Sequence, residues 1–328
     1  MMKRLVFDRH GPPEEVLRIE EVPVPEIKAG ELIVRMLRRP VNPYELALIS
    51  GGSGQALASP QVPGFEGFGV VEHIAGAAGP FRVGQRVIPA PVDLPGTWQE
   101  LVTGAPCKFI AVPDEISDTQ ACLIVNPLTC LVIIREILNL HEGQWLLNTG
   151  ASTNIGRLLV QFSGIFGFKL INAVRNKAAA DRMRALGAEH IINTDTEDLR
   201  SLVDHLTKGS GVSAVIDPVG GPAGTQAAAT LGFGGKMVLF SDLSKRPLSI
   251  DPMTFISKKL TVSGYTSLHW LNSSSYERKA GFVGELFAFL AEGSLELEAG
   301  EEFPLDDFAA AIRRSGVSGR PGKVILTG

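Results

Sequence analysis

Residues 144–167 read QWLLNTGASTNIGRLLVQFSGIFG. An apolar run ends at Gly150, and an amphipathic run begins near Asn154. This pattern predicts a strand over 144–150, a tight turn, and a helix over 154–167. The turn is Gly150-Ala151-Ser152-Thr153-Asn154-Ile155-Gly156. Gly150 ends the strand tightly, small residues let the backbone approach a pyrophosphate, and Gly156 lets the helix pack closely on the strand. The helix N-terminus adds N–H groups and the positive end of a dipole. Thr153 stands where the middle glycine of a dinucleotide-binding turn is usual.

The pattern repeats outward from this turn. Strands are predicted at KLINAVRN (169–176), HIINT (190–194), SAVIDPVGG (213–221) and KMVLFSD (236–242). Helices are predicted at 178–186, at 197–208, and between the last two strands. Strands separated by such helices form right-handed βαβ crossovers and a parallel sheet. The expectation is a doubly wound Rossmann domain over 118–260. At the end of its second strand stands Val174-Arg175-Asn176-Lys177, with no acid to take an NAD ribose. An arginine there pairs with the 2′-phosphate of NADP through charge-assisted bonds of about 1.5–3 kcal/mol. The sequence therefore favours NADPH over NADH.

Residues 1–117 have a different texture. Short apolar runs (LVF 5–7, LIVRML 32–37, FGVVEHIA 68–75, RVIPA 86–90, ELV 100–102, KFIAVP 108–113) alternate with Pro and Gly. Gly84 is placed for a hairpin-like turn, and the whole predicts a small irregular barrel. Ser117 or Asp118 is expected to cap a helix that Asn126-Pro127 interrupts. Residues 261–328, ending KVILTG, are expected to return to the first domain and complete it.

The 328 residues suit two domains. Hydrophobic content of 45 % and charged content of 20 % are ordinary for a globular protein. A net charge of −4 and a pI near 5.9 argue against a primary role on nucleic acid. There is no run of 18 or more apolar residues, so no membrane helix is expected. Three cysteines (Cys107, Cys122, Cys130) with no CxxC fit a reduced, cytoplasmic protein. The β-rich half offers no cluster of metal ligands and no G-x-S-x-G nucleophile elbow, so no metal is expected. The chemistry then falls to a nicotinamide cofactor plus a proton source.

These features together resemble the medium-chain dehydrogenase/reductase superfamily, in which a GroES-like β-rich domain is interrupted by a Rossmann domain and completed by the tail. Its zinc alcohol dehydrogenases carry a Gly-His-Glu ligand segment. Here the segment is Gly64-Phe65-Glu66-Gly67, and Asn42 stands where a zinc-binding cysteine would be. The chain is thus similar to the zinc-free branch, and within it to the NADPH-dependent 2-enoyl thioester reductases. VNPYE (41–45) resembles their INPSD, VPGFEGFGVV their GGNEGVAQV, and Asn126-Pro127-Leu128-Thr129 their VNPxT. Their cofactor loop also lacks the middle glycine. KLINAVRN, ALGAEHII, KMVLFSDLSKRP and GKVIL follow in the same order.

The resemblance implies cofactor contacts from Asn42, Asn126, Thr129 and Gly150. It implies a pyrophosphate cradle of Ser152, Thr153, Asn154 and Ile155, and a 2′-phosphate site of Arg175, Asn176 and Lys177. Phe240, Ser241, Asp242 and Leu243 would line the nicotinamide end, with Tyr265, Thr266 and Ser267 beside them and Lys323 reaching in from the tail. Those reductases also carry a loop tyrosine thought to help deliver the proton. Ser53 falls at that position, and an aliphatic hydroxyl is a far weaker acid than a phenol of pKa about 10. Tyr44 is the nearest replacement, so Tyr44 and Ser53 are the candidate catalytic hydroxyls. The expected activity is NADPH-dependent reduction of the activated C=C of an enoyl thioester or enone. Quinone or 2-alkenal reduction is the alternative, and a weakly catalytic NADPH-binding sensor or scaffold is the alternative of another class. A homodimer is usual in this superfamily and is expected here.

Overall fold

The computed structural model describes residues 1–52, 60–76, 79–90, 96–317 and 320–328. The chain divides into two compact units, one of Met1–Val125 with Leu271–Gly328, the other of Asn126–Trp270.

In the first unit β1 (Met2–Val6) pairs antiparallel with β2 (Arg18–Val22). The main sheet is built on β3 (Leu32–Pro40), β4 (Phe68–Ile74), β5 (Arg86–Pro89), β6 (Leu101–Gly104) and β7 (Phe109–Ala111). Period-two patterning sets the faces. Leu32, Val34 and Met36 of β3 are fully buried against Val71, Val87 and Phe109, while Arg35 between them is exposed. Gly84 supplies the left-handed turn (φ 83°) between β4 and β5, where the sequence places a hairpin. Arg39, fully buried on β3, donates to the carbonyls of Thr97, Gln99, Met36 and Gly328, tying strand, loop and tail together.

The second unit holds β8 (Trp145–Asn148), β9 (Lys169–Val174), β10 (His190–Asn193), β11 (Val212–Asp217), β12 (Leu231–Leu239) and β13 (Thr261–Gly264). All pair in parallel, in the order β10-β9-β8-β11-β12-β13. The order reverses between β8 and β11, the switch point of a dinucleotide-binding sheet. Leu147, Ile171, Val215 and Met237 have no exposed surface and pack with Val203 and Ala227 of the helices, so the strands read as continuous apolar runs. β14 (Ala299–Pro304) and β15 (Lys323–Thr327) return to the first unit, where β15 lies antiparallel to β3.

Two local readings change. The sequence texture puts the joints after residues 117 and 260, whereas the units join at Val125/Asn126 and Trp270/Leu271. Asp118 is held to the first unit by Arg86, and residues 261–264 are the edge strand of the parallel sheet, paired with β12. Asn126-Pro127 does not interrupt a helix. Ser117 caps a short helix, Asp118–Ala121, and a new helix, Val125–Val132, carries Pro127 in its first turn. A proline there forfeits no helical hydrogen bond, because first-turn N–H groups have no partner within the helix.

The strand–turn–helix contact has little slack. A Cβ on Gly150 would lie 2.2 Å from Pro218 Cγ, and one on Gly156 would lie 2.2 Å from the Ala151 carbonyl oxygen. Gly164, on the same helix, has open space. Gly156→Ala is therefore expected to destabilise the second unit by about 1–3 kcal/mol. Gly164→Ala is expected to stabilise it by about 0.5–1 kcal/mol. Urea midpoints of the two variants against the parent check both signs.

Candidate functional site

Because every strand of the second unit is parallel, all carboxyl ends lie on one sheet edge. That edge collects most of the residues singled out in the sequence. Gly150 and Ser152–Ile155 follow β8, Arg175–Lys177 follow β9, Phe240–Leu243 follow β12, and Tyr265–Ser267 follow β13. The edge is braced from inside by Asp217, which is fully buried at the end of β11. Its carboxylate accepts from the Thr149 hydroxyl and from the N–H groups of Val219 (2.8 Å) and Gly220 (3.1 Å). Asn148 Oδ1 accepts from Gly150 N at 2.9 Å and so fixes the start of the turn. The backbones of Leu243 and Ser244 donate to Pro218 and Val219, which draws the segment after β12 over the end of β11.

The individual residues divide by what they leave available. Ser152, Ser241, Asp242, Leu243 and Thr266 are exposed, and Asn126 and Phe240 are half-buried. Arg175 is exposed and makes no ion pair among the described residues. Lys177 is paired with Asp181 at the surface, and Asn176 uses its side-chain oxygen to cap the next helix through Ala179 N. Thr153 also works internally. Its hydroxyl donates to Gly150 O at 2.8 Å and accepts from Gly156 N at 3.1 Å, so it shapes the turn.

Three hydroxyls meet where helix 125–132 reaches the segment after β13. Thr129 and Ser267 are joined at 2.6 Å. The Tyr265 phenol lies beside them, buried and without a hydrogen bond. Burial pushes it up to about 12; Thr129 and Ser267 oppose that by proximity, neither being in hydrogen-bonding geometry with it.

The first unit assembles a different group. Segment 41–45 leads from β3 into the helix Pro43–Ile49. Glu66 Oε1 accepts from Lys323 Nζ at 2.6 Å and from Asn42 Nδ2 at 3.0 Å, and its Oε2 accepts from Val125 N at 3.0 Å. Glu45 accepts from Asn42 N, Asn42 Nδ2 and Phe65 N. All four side chains are buried. Asn42 and Lys323, expected to touch a cofactor, are thus committed to an internal network. Tyr44 is 39 % exposed and tilted against Phe65, with ring centroids 5.5 Å apart. Partial burial, then the neighbouring Glu45, raise its phenol above the usual value, so it stays protonated near neutrality. Ser53 lies outside the described residues.

Glu45 and Glu66 belong to this network, although neither is among the site residues the sequence suggests. Glu45 had a signal, since Asn42-x-x-Glu45 carries the acid of a capping box. Glu66 had none beyond its place in GFEG, because its partner Lys323 is 257 residues away.

The second unit also fits a dinucleotide. The glycine turn leads into a helix N-terminus with Ser152 exposed beside it, and Arg175 is exposed at the end of the neighbouring strand. A neutral hydroxyl set waits at the end of β13. Among the described residues, no group of three or more His, Cys, Asp or Glu is arranged to hold a metal ion. The buried set in the first unit is an ion pair in which an ammonium already occupies the carboxylate.

The charges of that set make a pH prediction. Burial, then the Glu66 carboxylate, push Glu45 from 4.5 up to about 7. The folded chain therefore binds this proton more tightly than the unfolded chain. Stability is lost as pH rises from about 4.5 to about 7, and the cost of the ionised group persists above that. Glu45→Gln removes this slope. Its urea midpoint relative to the parent is expected to rise between pH 5 and 7.5, by the equivalent of about 2 kcal/mol. A relative midpoint that falls over this range contradicts the assignment.

Comparison with known proteins agrees with the geometry. Residues 28–114 match the family model "Alcohol dehydrogenase GroES-like domain" and residues 154–281 match "Zinc-binding dehydrogenase". The mitochondrial enoyl-[acyl-carrier-protein] reductase of Arabidopsis thaliana is 28 % identical, over 99 % of this chain and 88 % of that protein. A solved structure from Bacillus thuringiensis, assigned as an NADPH:quinone reductase, is 32 % identical with a TM-score of 0.92, covering 100 % of this chain and 99 % of its own. A mycobacterial structure complexed with NADPH is 25 % identical with a TM-score of 0.86, with both chains covered in full. With its GroES-like unit, its Rossmann sheet and its likeness to enoyl and quinone reductases, the chain belongs to the zinc-free branch of the medium-chain dehydrogenase/reductase superfamily.

Proposed function

We propose that this chain is an NADPH-dependent reductase of activated carbon–carbon double bonds, of the enoyl-thioester kind. The observation that carries the reading is the pairing of the Gly150–Gly156 turn with an exposed, uncompensated Arg175 on one edge of a parallel sheet. The similarity to enoyl reductases over nearly the whole chain supports the substrate class.

When bound, NADPH supplies a hydride at nicotinamide C4. The protein's part is to bind, orient and donate. Gly150, Ser152, Asn154 and Ile155 hold the pyrophosphate on a helix N-terminus, in a turn that Thr153 shapes. Arg175, with Asn176 and Lys177, holds the 2′-phosphate. Asn126, Thr129, Phe240, Ser241, Asp242, Leu243, Tyr265, Thr266 and Ser267 surround the ring end. Asn42 and Lys323 act through Glu45 and Glu66, fixing the segment that presents Tyr44. Negative charge gathers on the substrate carbonyl oxygen, and hydroxyl donors such as Tyr44 and Ser53 stabilise it while water or a hydroxyl protonates the α-carbon.

Quinone or 2-alkenal reduction is the second reading, favoured by a serine at position 53 where the related reductases have tyrosine. Reduced quinone oxygens take up protons without a positioned acid. A homodimer belongs to the same proposal. Phe233, Met253 and Ile256 expose 74 %, 66 % and 65 % of their surface on the unit whose sheet ends in β13, the kind of apolar surface that association covers. Three free thiols accord with the reducing cytoplasm. Among the described residues no helix is long and apolar enough to cross a membrane.

The test is NADPH oxidation across a panel of enoyl thioesters, enals and quinones, run on the parent and on Arg175→Ala. Turnover of enoyl thioesters is expected in the parent, with a preference for NADPH over NADH. Arg175→Ala should erase most of that preference, on the order of ten- to a hundredfold. Turnover of quinones alone selects the second reading. NADPH binding with no turnover selects a sensor or scaffold, and equal affinity for NADH and NADPH overturns the cofactor assignment.

A further inference from the structure

Tyr44 and Phe65 form an aromatic pair in the first unit. Their ring centroids lie 5.5 Å apart at an interplanar angle of 50°, so the two faces do not lie flat on each other. Tyr44 is 39 % exposed and Phe65 is half-buried. The backbone that carries the rings has little freedom. Phe65 N donates to Glu45 Oε1 at 2.9 Å. On either side of it, Gly64 O accepts from Thr97 N at 3.1 Å and Glu66 O accepts from the Thr97 hydroxyl at 2.7 Å. Gly64 takes φ 107°, and a Cβ there would lie 2.4 Å from Thr97 Oγ1. Tyr44 precedes Glu45 in the first turn of the helix Pro43–Ile49, and Glu45 also accepts from Asn42 N. One buried carboxylate thus fixes both ring-bearing segments.

A side chain held in place before its ligand arrives loses little conformational freedom on binding. The chemistry of the pair narrows what that ligand is. The charged groups Glu45, Glu66 and Lys323 are buried and bonded within their own network. What remains is one phenol hydroxyl and two ring faces, which suit a planar group beside a neutral acceptor oxygen. Phe65 is also a feature of this chain. The segment GGNEGVAQV of the enoyl reductases that it resembles has asparagine where GFEG has Phe65. An amide there offers hydrogen bonds, whereas a ring offers a face.

We propose that Phe65, held against Tyr44, is a specificity-determining residue that selects 2-enoyl compounds bearing a planar aromatic substituent on the β-carbon. The substrate carbonyl oxygen accepts from the Tyr44 hydroxyl, and the aryl ring packs on Phe65. This rests on the reading of Tyr44 as a donor to the substrate. It narrows that reading from activated double bonds in general to aryl-conjugated ones.

Two pairs of N-acetylcysteamine thioesters, used with the full chain, test the proposal. The 3-phenylpropanoyl and 3-cyclohexylpropanoyl esters lack the double bond and report binding alone. The cinnamoyl and 3-cyclohexylacryloyl esters carry it and report turnover. The parent is expected to bind the phenylpropanoyl ester about three- to tenfold more tightly than the cyclohexyl ester, and to show the same order in KM for the unsaturated pair. Phe65→Leu is expected to erase the preference, and Phe65→Tyr, which keeps a ring, to retain it. Equal affinity of the parent for the two saturated esters, or binding of neither, overturns the proposal. So does a preference that survives in Phe65→Leu, or an equal loss on both esters there, which marks Phe65 as a support for the fold alone. The expected binding preference without turnover of either unsaturated ester supports the role of Phe65 and overturns the reductase reading instead.

Discussion

The second unit depends on one buried carboxylate at its switch point. Asp217 has no solvent contact, and its hydrogen bonds to Thr149, Val219 and Gly220 fasten the ends of β8 and β11 where the strand order reverses. A carboxyl group buried in such a place is tolerated only because donors surround it. Those donors are the backbone and hydroxyl groups that shape the mouth of the sheet. The same constraint sets the space around it. Pro218 sits against Gly150, and a Cβ on Gly224 would lie 2.2 Å from Asp217 Oδ2. These positions are glycine because their neighbours leave no room for a Cβ.

The first unit solves a different problem with a related device. Segment 41–45 must leave β3 and start a helix at a fixed angle. Two carboxylates, an amide and an ammonium hold it from below, with Lys323 brought in by the returning strand β15. Removing one partner of a buried pair leaves an uncompensated charge, at a cost of about 3–5 kcal/mol. The network carries two acids against one base, so Glu45 is the group that gives way and holds its proton to about 7. The consequence for function is positional, because Tyr44 lies between the residues that make the network.

What could be read from the sequence was what local pattern determines. The glycine spacing of 150–156 and the apolar period around it predict strand, turn and helix, because close packing and φ preferences act within a few residues. The missing acid near Arg175 is equally local. Other features depend on partners far along the chain. Nothing near Glu66 announces Lys323, and nothing near Thr149 announces Asp217. Thr153 shows a subtler limit. A hydroxyl in a ligand-binding turn has the right chemistry to face the ligand, yet the geometry of a helix N-terminus offers it Gly156 N first. Pro127 suggests a break because proline breaks helix interiors, whereas it occupies a first turn. The apolar run at 261–264 is too short to show which sheet it joins, and pairing with β12 decides it.

The proposed chemistry is hydride transfer from NADPH to the activated double bond of a conjugated carbonyl compound. Its most direct test is the position of isotope in the product when the full chain reduces a 2-enoyl thioester with NADPH carrying deuterium at both positions of nicotinamide C4. The account predicts deuterium on the β-carbon and a solvent proton on the α-carbon. A saturated product without label on the β-carbon, or NADPH oxidised while the double bond survives, contradicts it.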